Sequence, residues 1–528
     1  MLDDAASRLA AVTMVGLPPE GLTPAFRKAL AARPFAGVLL FRRHFPSLDR
    51  LPALVEELRR LAAPRTILVA MDEEGGFVSQ LAPELPVPPS ARVLGRAASE
   101  TEVERIGATV GGWLSAAGVD VNFAPVLDVD VESRNPVIGP RSFGKDPKLV
   151  ARHGAAMLRG LREGGVLACT KHFPGHGDTI VDSHLALPIC EADLATLEAR
   201  ELVPFRETLA LAPLVMTAHV RYPGLDPAWP ATLSSAIVTG LLRERLGARG
   251  VVVTDAMEMK GLADVAPGGA GPLRALASGC DLVLFGAWTE ETEATLEAAA
   301  RLWEKEGNAV LPPARWESAR GAVEALYSAA LAAERAGYDT GAASEAREAR
   351  AAHRGLVDAQ HLAQLVPPGW EAMLDAICRR ALSWIGPPAA VALDRLEVLE
   401  PAWTAGPSLA ELLLEHGIPA RGRAFAEAAA GAAPGRTGRV AEDFAAARRG
   451  AGVDPLIVAL PRRTPLGADE ERELRALCVA RPTVLVALEQ DAFLADFPEA
   501  AGRLSACDAT PAMRRAVAGE IAGALSRV

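Results

Sequence analysis

Lysine is nearly missing from this chain. Only six of its 55 basic residues are lysines, at positions 28, 145, 148, 171, 260 and 305, so arginine is the default cation. Each lysine is therefore a candidate for a particular task. Asparagine is scarcer still, with three residues, two of which (Asn122 and Asn135) lie within fourteen positions. The six cysteines are scattered without C-x-x-C spacing, which excludes a disulfide framework or a zinc site and reads as reduced thiols. No block of basic residues stands against the net charge of −11, so nucleic acid and anionic membranes are not expected partners. No apolar run approaches the roughly 18 residues of a membrane span. The opening Met1-Leu2-Asp3-Asp4 lacks the basic and apolar regions of a secretory signal. A cytoplasmic setting is the expectation. The oligomeric state stays open.

What is present begins with length. The 528 residues, half of them apolar, suffice for two to four domains. Short apolar runs recur at 12–15, 38–41, 66–70, 119–123, 166–169, 214–216, 251–253 and 282–284. They are often β-branched and mostly continuous in apolarity, as strands covered on both faces should be. The run at 119–123 differs, broken by Asp120 and Asn122. Amphipathic patterns at 51–61, 102–117, 194–211, 234–246 and 273–278 separate the runs and predict helices. Eight alternations in about 290 residues point to a (β/α)8 barrel of the TIM type. The absence of G-x-G-x-x-G after the first run lowers the open-sheet alternative.

An Ala/Glu/Arg-rich stretch over 290–364 reads as consecutive helices. Further runs at 389–393, 456–460, 483–488 and 504–507 predict a smaller α/β sandwich domain, with helices at 408–416 and 470–480 and a loop at 428–438. The expected division is a catalytic barrel at 1–335, a helical linker at 336–368 and a C-terminal α/β domain at 369–528.

In such a barrel, catalytic residues follow the strand C-termini. Five consecutive strands here deliver ionisable groups to one rim: Asp72-Glu73-Glu74 after the third, Asp128 and Asp130 after the fourth, Lys171, His172, His176 and Asp178 after the fifth, His219 after the sixth, and Asp255 with Glu258 at the seventh. One such charge would read as a solvated loop residue; five together predict an active site. His172 and His176 are four apart, but Pro174, Gly175 and Gly177 prevent a shared helix face, so metal-ligand logic fails and no metal or cofactor is expected. Asp182-Ser183-His184 in extended conformation places Asp and His on one side of the chain, where the carboxylate fixes the imidazole tautomer. The same residues also fit a loop Asp bonding its own backbone beside an exposed His. Asp255 is either a helix N-cap or a carboxylate held at the barrel mouth as a nucleophile.

Read as a set, the motifs resemble a known family. The stretch Lys171-His172-Phe173-Pro174-Gly175-His176-Gly177-Asp178-Thr179, followed by Asp182-Ser183-His184, is similar to the signature of glycoside hydrolase family 3, in its bacterial β-N-acetylglucosaminidase branch. Asp72-Glu73-Glu74-Gly75-Gly76, Asn122 to Asp128, Asn135 to Gly139 with Arg141 to Gly144, Met216 to His219, Ala231 to Ser234 and Gly250 to Asp255 agree in order and spacing. The likeness covers about residues 10–290. It implies Asp255 as catalytic nucleophile and His184 as general acid/base with Asp182 as its partner. It also implies Asp72, Arg141, Lys171, His172 and His219 as residues that hold the sugar, with Asn122 and Asn135 ordering loops. Phe77 departs from the pattern, which usually carries an arginine there, and removes a charge near the pocket. The implied reaction is retaining hydrolysis of a small carbohydrate, terminal β-linked N-acetylglucosamine in muropeptides or chitooligosaccharides.

The runner-up readings are a phosphorylase or a β-glucosidase on the same scaffold, and an inactive sugar-binding relative. Intact Asp182, His184 and Asp255 weigh against the last. A metal-dependent hydrolase would need H-x-H or H-E-x-x-H spacing, and neither occurs.

Overall fold

The computed structural model describes residues 4–181, 186–337, 362, 365–385, 396–401, 407–416, 418–424, 447, 455–460, 466, 468–488 and 492–525. Asp182 and His184 therefore lie outside the described residues, as do the run at 389–393 and the loop at 428–438.

Eight parallel strands close into a barrel in sequence order: β1 (Thr13–Gly16), β2 (Gly37–Leu39), β3 (Leu68–Met71), β4 (Val121–Asn122), β5 (Leu167–Phe173), β6 (Leu214–Thr217), β7 (Val251–Ala256) and β8 (Leu282–Phe285). The pairing of Met14 with Leu284 closes the ring. Each strand coincides with one of the eight apolar runs, and all but the mouth end of β7 are buried throughout.

The interrupted run explains itself. Strand β4 has only two ladder residues, and its polar side chains extend the pairing. Asp120 accepts from the Val69 N–H at 2.8 Å and is held by Arg59. Asn122 accepts from the Glu73 N–H and donates to the Glu73 carbonyl, both at 2.9 Å. A side-chain amide thus replaces the next rung of backbone and sets where the loop after β3 begins.

The helices Glu100–Ala116 and Pro147–Glu163 flank this part of the barrel. The first starts with a capping box between Ser99 and Glu102. The two pack backbone to backbone at their glycines: a Cβ on Gly160 would lie 2.1 Å from the Glu104 carbonyl oxygen.

The amphipathic pattern at 194–211 predicts one helix, but the structure has two, Leu194–Ala199 and Leu202–Thr208. Arg200 leaves helical geometry between them (φ −130, ψ −81) and its guanidinium reaches Asp178 and Glu201. A tertiary ion pair to the loop after β5 has overridden local periodicity.

The second sheet runs in the order β11 (Ala420–Ala424), β10 (Leu396–Glu400), β12 (Leu456–Leu460), β13 (Thr483–Ala487), β14 (Gly502–Ser505), β9 (Ser383–Trp384), parallel except for β9. It joins the barrel through the helix Trp370–Ala381, whose Trp370 packs edge-on to Trp113 at 5.5 Å and donates from Nε1 to the Pro86 carbonyl at 2.7 Å. One apolar cluster runs from the barrel into the helices on that face of the sheet. A second, around Leu456, Leu474 and Phe497, fills the other face.

Gly160→Ala forces a methyl group into the Glu104 carbonyl. We expect it to lower stability by about 1–3 kcal/mol, read as an earlier urea midpoint with an unchanged slope.

Candidate active site

The polar rim is organised around Glu74. From the loop after β3, its two carboxylate oxygens accept from Arg141 Nε and Nη2, each at 2.8 Å. Lys171 Nζ, arriving from β5, lies 2.6 Å from both Glu74 Oε1 and Asp72 Oδ1. Burial alone would push the Glu74 carboxyl up, but the guanidinium and the ammonium hold it far below the usual range. Burial likewise opposes the charge on Lys171, and Asp72 and Glu74 more than reverse it. Two anions and two cations make this cluster neutral as a whole.

Asp128, fully buried in the loop after β4, serves the imidazole side of the rim. Its Oδ2 is 2.7 Å from His172 Nδ1, and its Oδ1 accepts the His176 N–H at 2.6 Å. A carboxylate on Nδ1 fixes the tautomer and leaves Nε2 on the far side of the ring. His172 follows Lys171 directly, yet the two face different partners. The ladder between β5 and β6 shifts register between Thr170 and Phe173, which re-aims these side chains.

Asp255 sits at the mouth end of β7, its Oδ1 accepting its neighbour Ala256's N–H at 2.8 Å. Burial disfavours its charge, but His172, that N–H and the Lys171 ammonium outweigh it, so the carboxyl stays below the ordinary value. No helix begins at Ala256, which remains within β7, so the N-cap alternative fails.

His219 is expected to touch substrate, and in the structure both its ring nitrogens have protein partners. Its Nε2 is 3.0 Å from the Ala256 carbonyl and its Nδ1 is 2.8 Å from Thr232 Oγ1. Burial lowers its pKa and favours the neutral ring. A carbonyl only accepts, so Nε2 carries the proton, while the Thr232 hydroxyl beside Nδ1 also donates to the Ala218 carbonyl at 3.0 Å. Thr217 Oγ1, at 2.9 Å from Thr232 Oγ1, completes the chain. Through these contacts His219 braces the backbone beside Asp255.

Asn135 acts on a loop, as expected: it donates to the His176 carbonyl at 2.8 Å and accepts from Val137 and Ile138 N–H. Tyr222 donates to the Gly175 carbonyl at 2.5 Å, and Arg200 pairs with Asp178. The root of the loop that leads to Asp182 and His184 is therefore fixed at three points, Gly175, His176 and Asp178.

Asp72, Arg141, Lys171, His172 and Asp255 come together at one mouth. Sequence reasoning missed Glu74 and Asp128 as organisers, although both lay inside quoted motifs. The usable signal was the count of cations: Lys171 and Arg141 at one rim require buried anions. Phe77 leaves no unmatched charge on Glu74, which has two cationic partners. The unpartnered buried oxygen in this loop is Glu73 Oε1, and burial pushes Glu73 up to about 7.

A model of the glycosyl hydrolase family 3 N-terminal domain matches residues 1–308. A β-hexosaminidase of Chromobacterium violaceum is 42% identical over 300 residues, which span 54% of this chain and 82% of that relative. A solved glycoside hydrolase family 3 β-N-acetylglucosaminidase from Paenibacillus superposes with a TM-score of 0.82 at 27% identity, covering 98% of this chain and 96% of the other. NagZ from Neisseria gonorrhoeae, solved in complex with N-trifluoroacetyl-D-glucosamine, is 31% identical, with a TM-score of 0.50 over 62% of this chain and 98% of its own.

Two outcomes follow from the charges. Glu74→Gln leaves Arg141 and Lys171 with Asp72 alone, and we expect a loss of about 3–5 kcal/mol in denaturant unfolding. The second concerns His176, which burial pushes down to about 4 from an unfolded value of 6.5. The unfolded chain takes this proton first, so the stability is full above pH 6.5 and is lost between 6.5 and about 4. That share amounts to about 3 kcal/mol. His176→Gln should flatten the stability profile across that window, and an unchanged slope would contradict the assignment.

Proposed function

The chain belongs to glycoside hydrolase family 3, and we propose that within it this protein is a retaining, exo-acting β-N-acetylglucosaminidase. The observation that carries the reading is Asp255, a carboxylate held ionised at a mouth whose other wall is the neutral Asp72–Lys171–Glu74–Arg141 cluster. A neutral sugar needs donors and acceptors without net charge, and a glycosyl ester needs an ionised nucleophile.

Asp255 attacks the anomeric carbon through an oxocarbenium-like transition state while His184, oriented by Asp182, protonates the leaving oxygen. In the second half-reaction His184 takes a proton from water, which releases the sugar from the ester. Retaining enzymes ordinarily use two carboxylates for these duties. An imidazole with an unperturbed pKa near 6.5 suits both directions of transfer around neutrality. Asp72, Lys171, Arg141 and His172 Nε2 bind the ring hydroxyls, and His219 keeps the nucleophile's backbone in place.

Similarity to a β-hexosaminidase and to a β-N-acetylglucosaminidase supports N-acetylglucosamine as the glycon. Muropeptide fragments or chitooligosaccharides are the substrates this reading implies. A cytoplasmic setting suits six cysteines that are all buried, and no helix among the described residues is long and apolar enough to cross a membrane.

The test is release of nitrophenol from the aryl β-N-acetylglucosaminide, with and without phosphate. We expect turnover in phosphate-free buffer that Asp255→Ala abolishes. His184→Ala should slow a substrate with a poor leaving group by ~10²–10⁴-fold. A rate that appears only with phosphate, yielding sugar 1-phosphate, would make the protein a phosphorylase instead.

A further inference from the structure

Among the described residues, the C-terminal sheet contributes no side chain to the rim described above, yet it touches the elements that hold that rim. The loop after β3 returns over residues 86–90 before entering the short helix Ala91–Ala97. On its inner side this strap lies directly on Gly75 and Gly76, the residues that follow Glu74. The Gly76 N–H donates to the Pro88 carbonyl at 2.9 Å, and a Cβ on Gly76 would lie 2.8 Å from the Ser90 Cβ. Gly76 has φ +59, so a larger residue meets both a steric and a conformational barrier. The helix continues the contact: Arg92 reaches Asp130 and donates to the Gly139 carbonyl at 3.1 Å, inside the turn Gly139–Arg141 that carries Arg141. The strap and helix thus bear on both partners of the Glu74–Arg141 pair.

The outer side of the same strap is held from the second domain. Asp508 Oδ2 accepts the Ser90 N–H at 2.6 Å, and the Ser90 hydroxyl donates to the Cys507 carbonyl at 3.0 Å, both buried. Arg96 donates to Ser505 Oγ at 2.7 Å, and Trp370 donates to the Pro86 carbonyl. Cys507 is the one non-glycine residue with positive φ among the described residues (φ 57). That conformation is uncommon for a residue with a side chain and is held here by its surroundings.

We infer that Asp508 is a positioning residue for glycon binding: through Ser90 and the strap it sets the spacing between Glu74 and Arg141, so the C-terminal domain tunes the site through this contact. The inference rests on the glycosidase reading of that site. Loss of the clamp loosens groups that bind the sugar in the ground state and the transition state alike. It therefore raises KM while leaving kcat nearly unchanged.

The experiment compares wild type, Asp508→Ala, Asp508→Asn and Ser90→Ala as full chains, measuring KM and kcat on the aryl β-N-acetylglucosaminide and the inhibition constant of free N-acetylglucosamine. Removing a hydrogen bond to a charged group should raise KM and the inhibition constant about tenfold in Asp508→Ala. Asp508→Asn, which keeps one accepting oxygen, should fall between it and wild type. Ser90→Ala, which loses only the bond to Cys507, should shift both constants in the same direction by less. Arg105→Ala, which cuts a separate contact to the Pro368 carbonyl, should leave them unchanged. If Asp508→Ala does not fold, the two milder variants decide. Variants that melt earlier but keep wild-type KM and inhibition constant overturn the inference and reduce the contact to stability. A wild-type chain that neither hydrolyses nor binds the sugar overturns the glycosidase reading first, and the inference with it.

Discussion

A carboxylate stays ionised inside a protein only where cations are brought to it, and Glu74 is brought two from different parts of the chain. Lys171 comes from β5, Arg141 from the turn beyond β4, and Glu74 itself from the end of β3. Taking four charges out of water is costly unless the geometry is good and every lone pair is used. That condition forces three strand ends into a single arrangement. Asn122 fixes where the first loop starts, the strap at 86–90 presses on its glycines, and Arg92 holds the turn that presents Arg141. The ion cluster and its supports form one mechanical unit.

The two imidazoles beside Asp255 divide the remaining work. Asp128 takes one nitrogen of His172 and leaves the other directed away, so that ring can meet a ligand. His219 has both nitrogens bound, one to the Ala256 carbonyl and one to Thr232, and acts as a strut. Residue type and position along the strands do not distinguish these roles. Only the partners do.

This is the pattern of what could and could not be read from the chain. Seven of the eight barrel strands were legible because each is buried on both faces and so continuous in apolarity, and β4 showed through a run broken only by Asp120 and Asn122. The C-terminal strands β12 and β13, central in their sheet, were legible for the same reason. Strand β10, Leu-Glu-Val-Leu-Glu, and the edge strand β11, Ala-Arg-Gly-Arg-Ala, carry no such run and were missed. The break at Arg200 and the pairing of Asp120 with β3 depend on contacts distant in sequence, which local periodicity does not contain. At the site, the residues that protrude from strand ends were found. The buried anions that hold them, Glu74 and Asp128, were passed over because a motif shows which residues recur and not which of them face inward.

The buried thiols carry a practical consequence. Burial pushes Cys190 up to about 11 and Cys280 and Cys478 up to about 12, and raises Cys169 and Cys378 well beyond the ordinary range. At neutral pH these sulfurs hold almost no thiolate, the form that reacts. Cys507 is buried as well, so we expect slow reaction of the native chain with maleimides and similar labels. A cysteine placed on the surface of each domain would therefore be the reactive pair, and the separation of barrel and C-terminal sheet becomes measurable by spectroscopy without stripping the native sequence first.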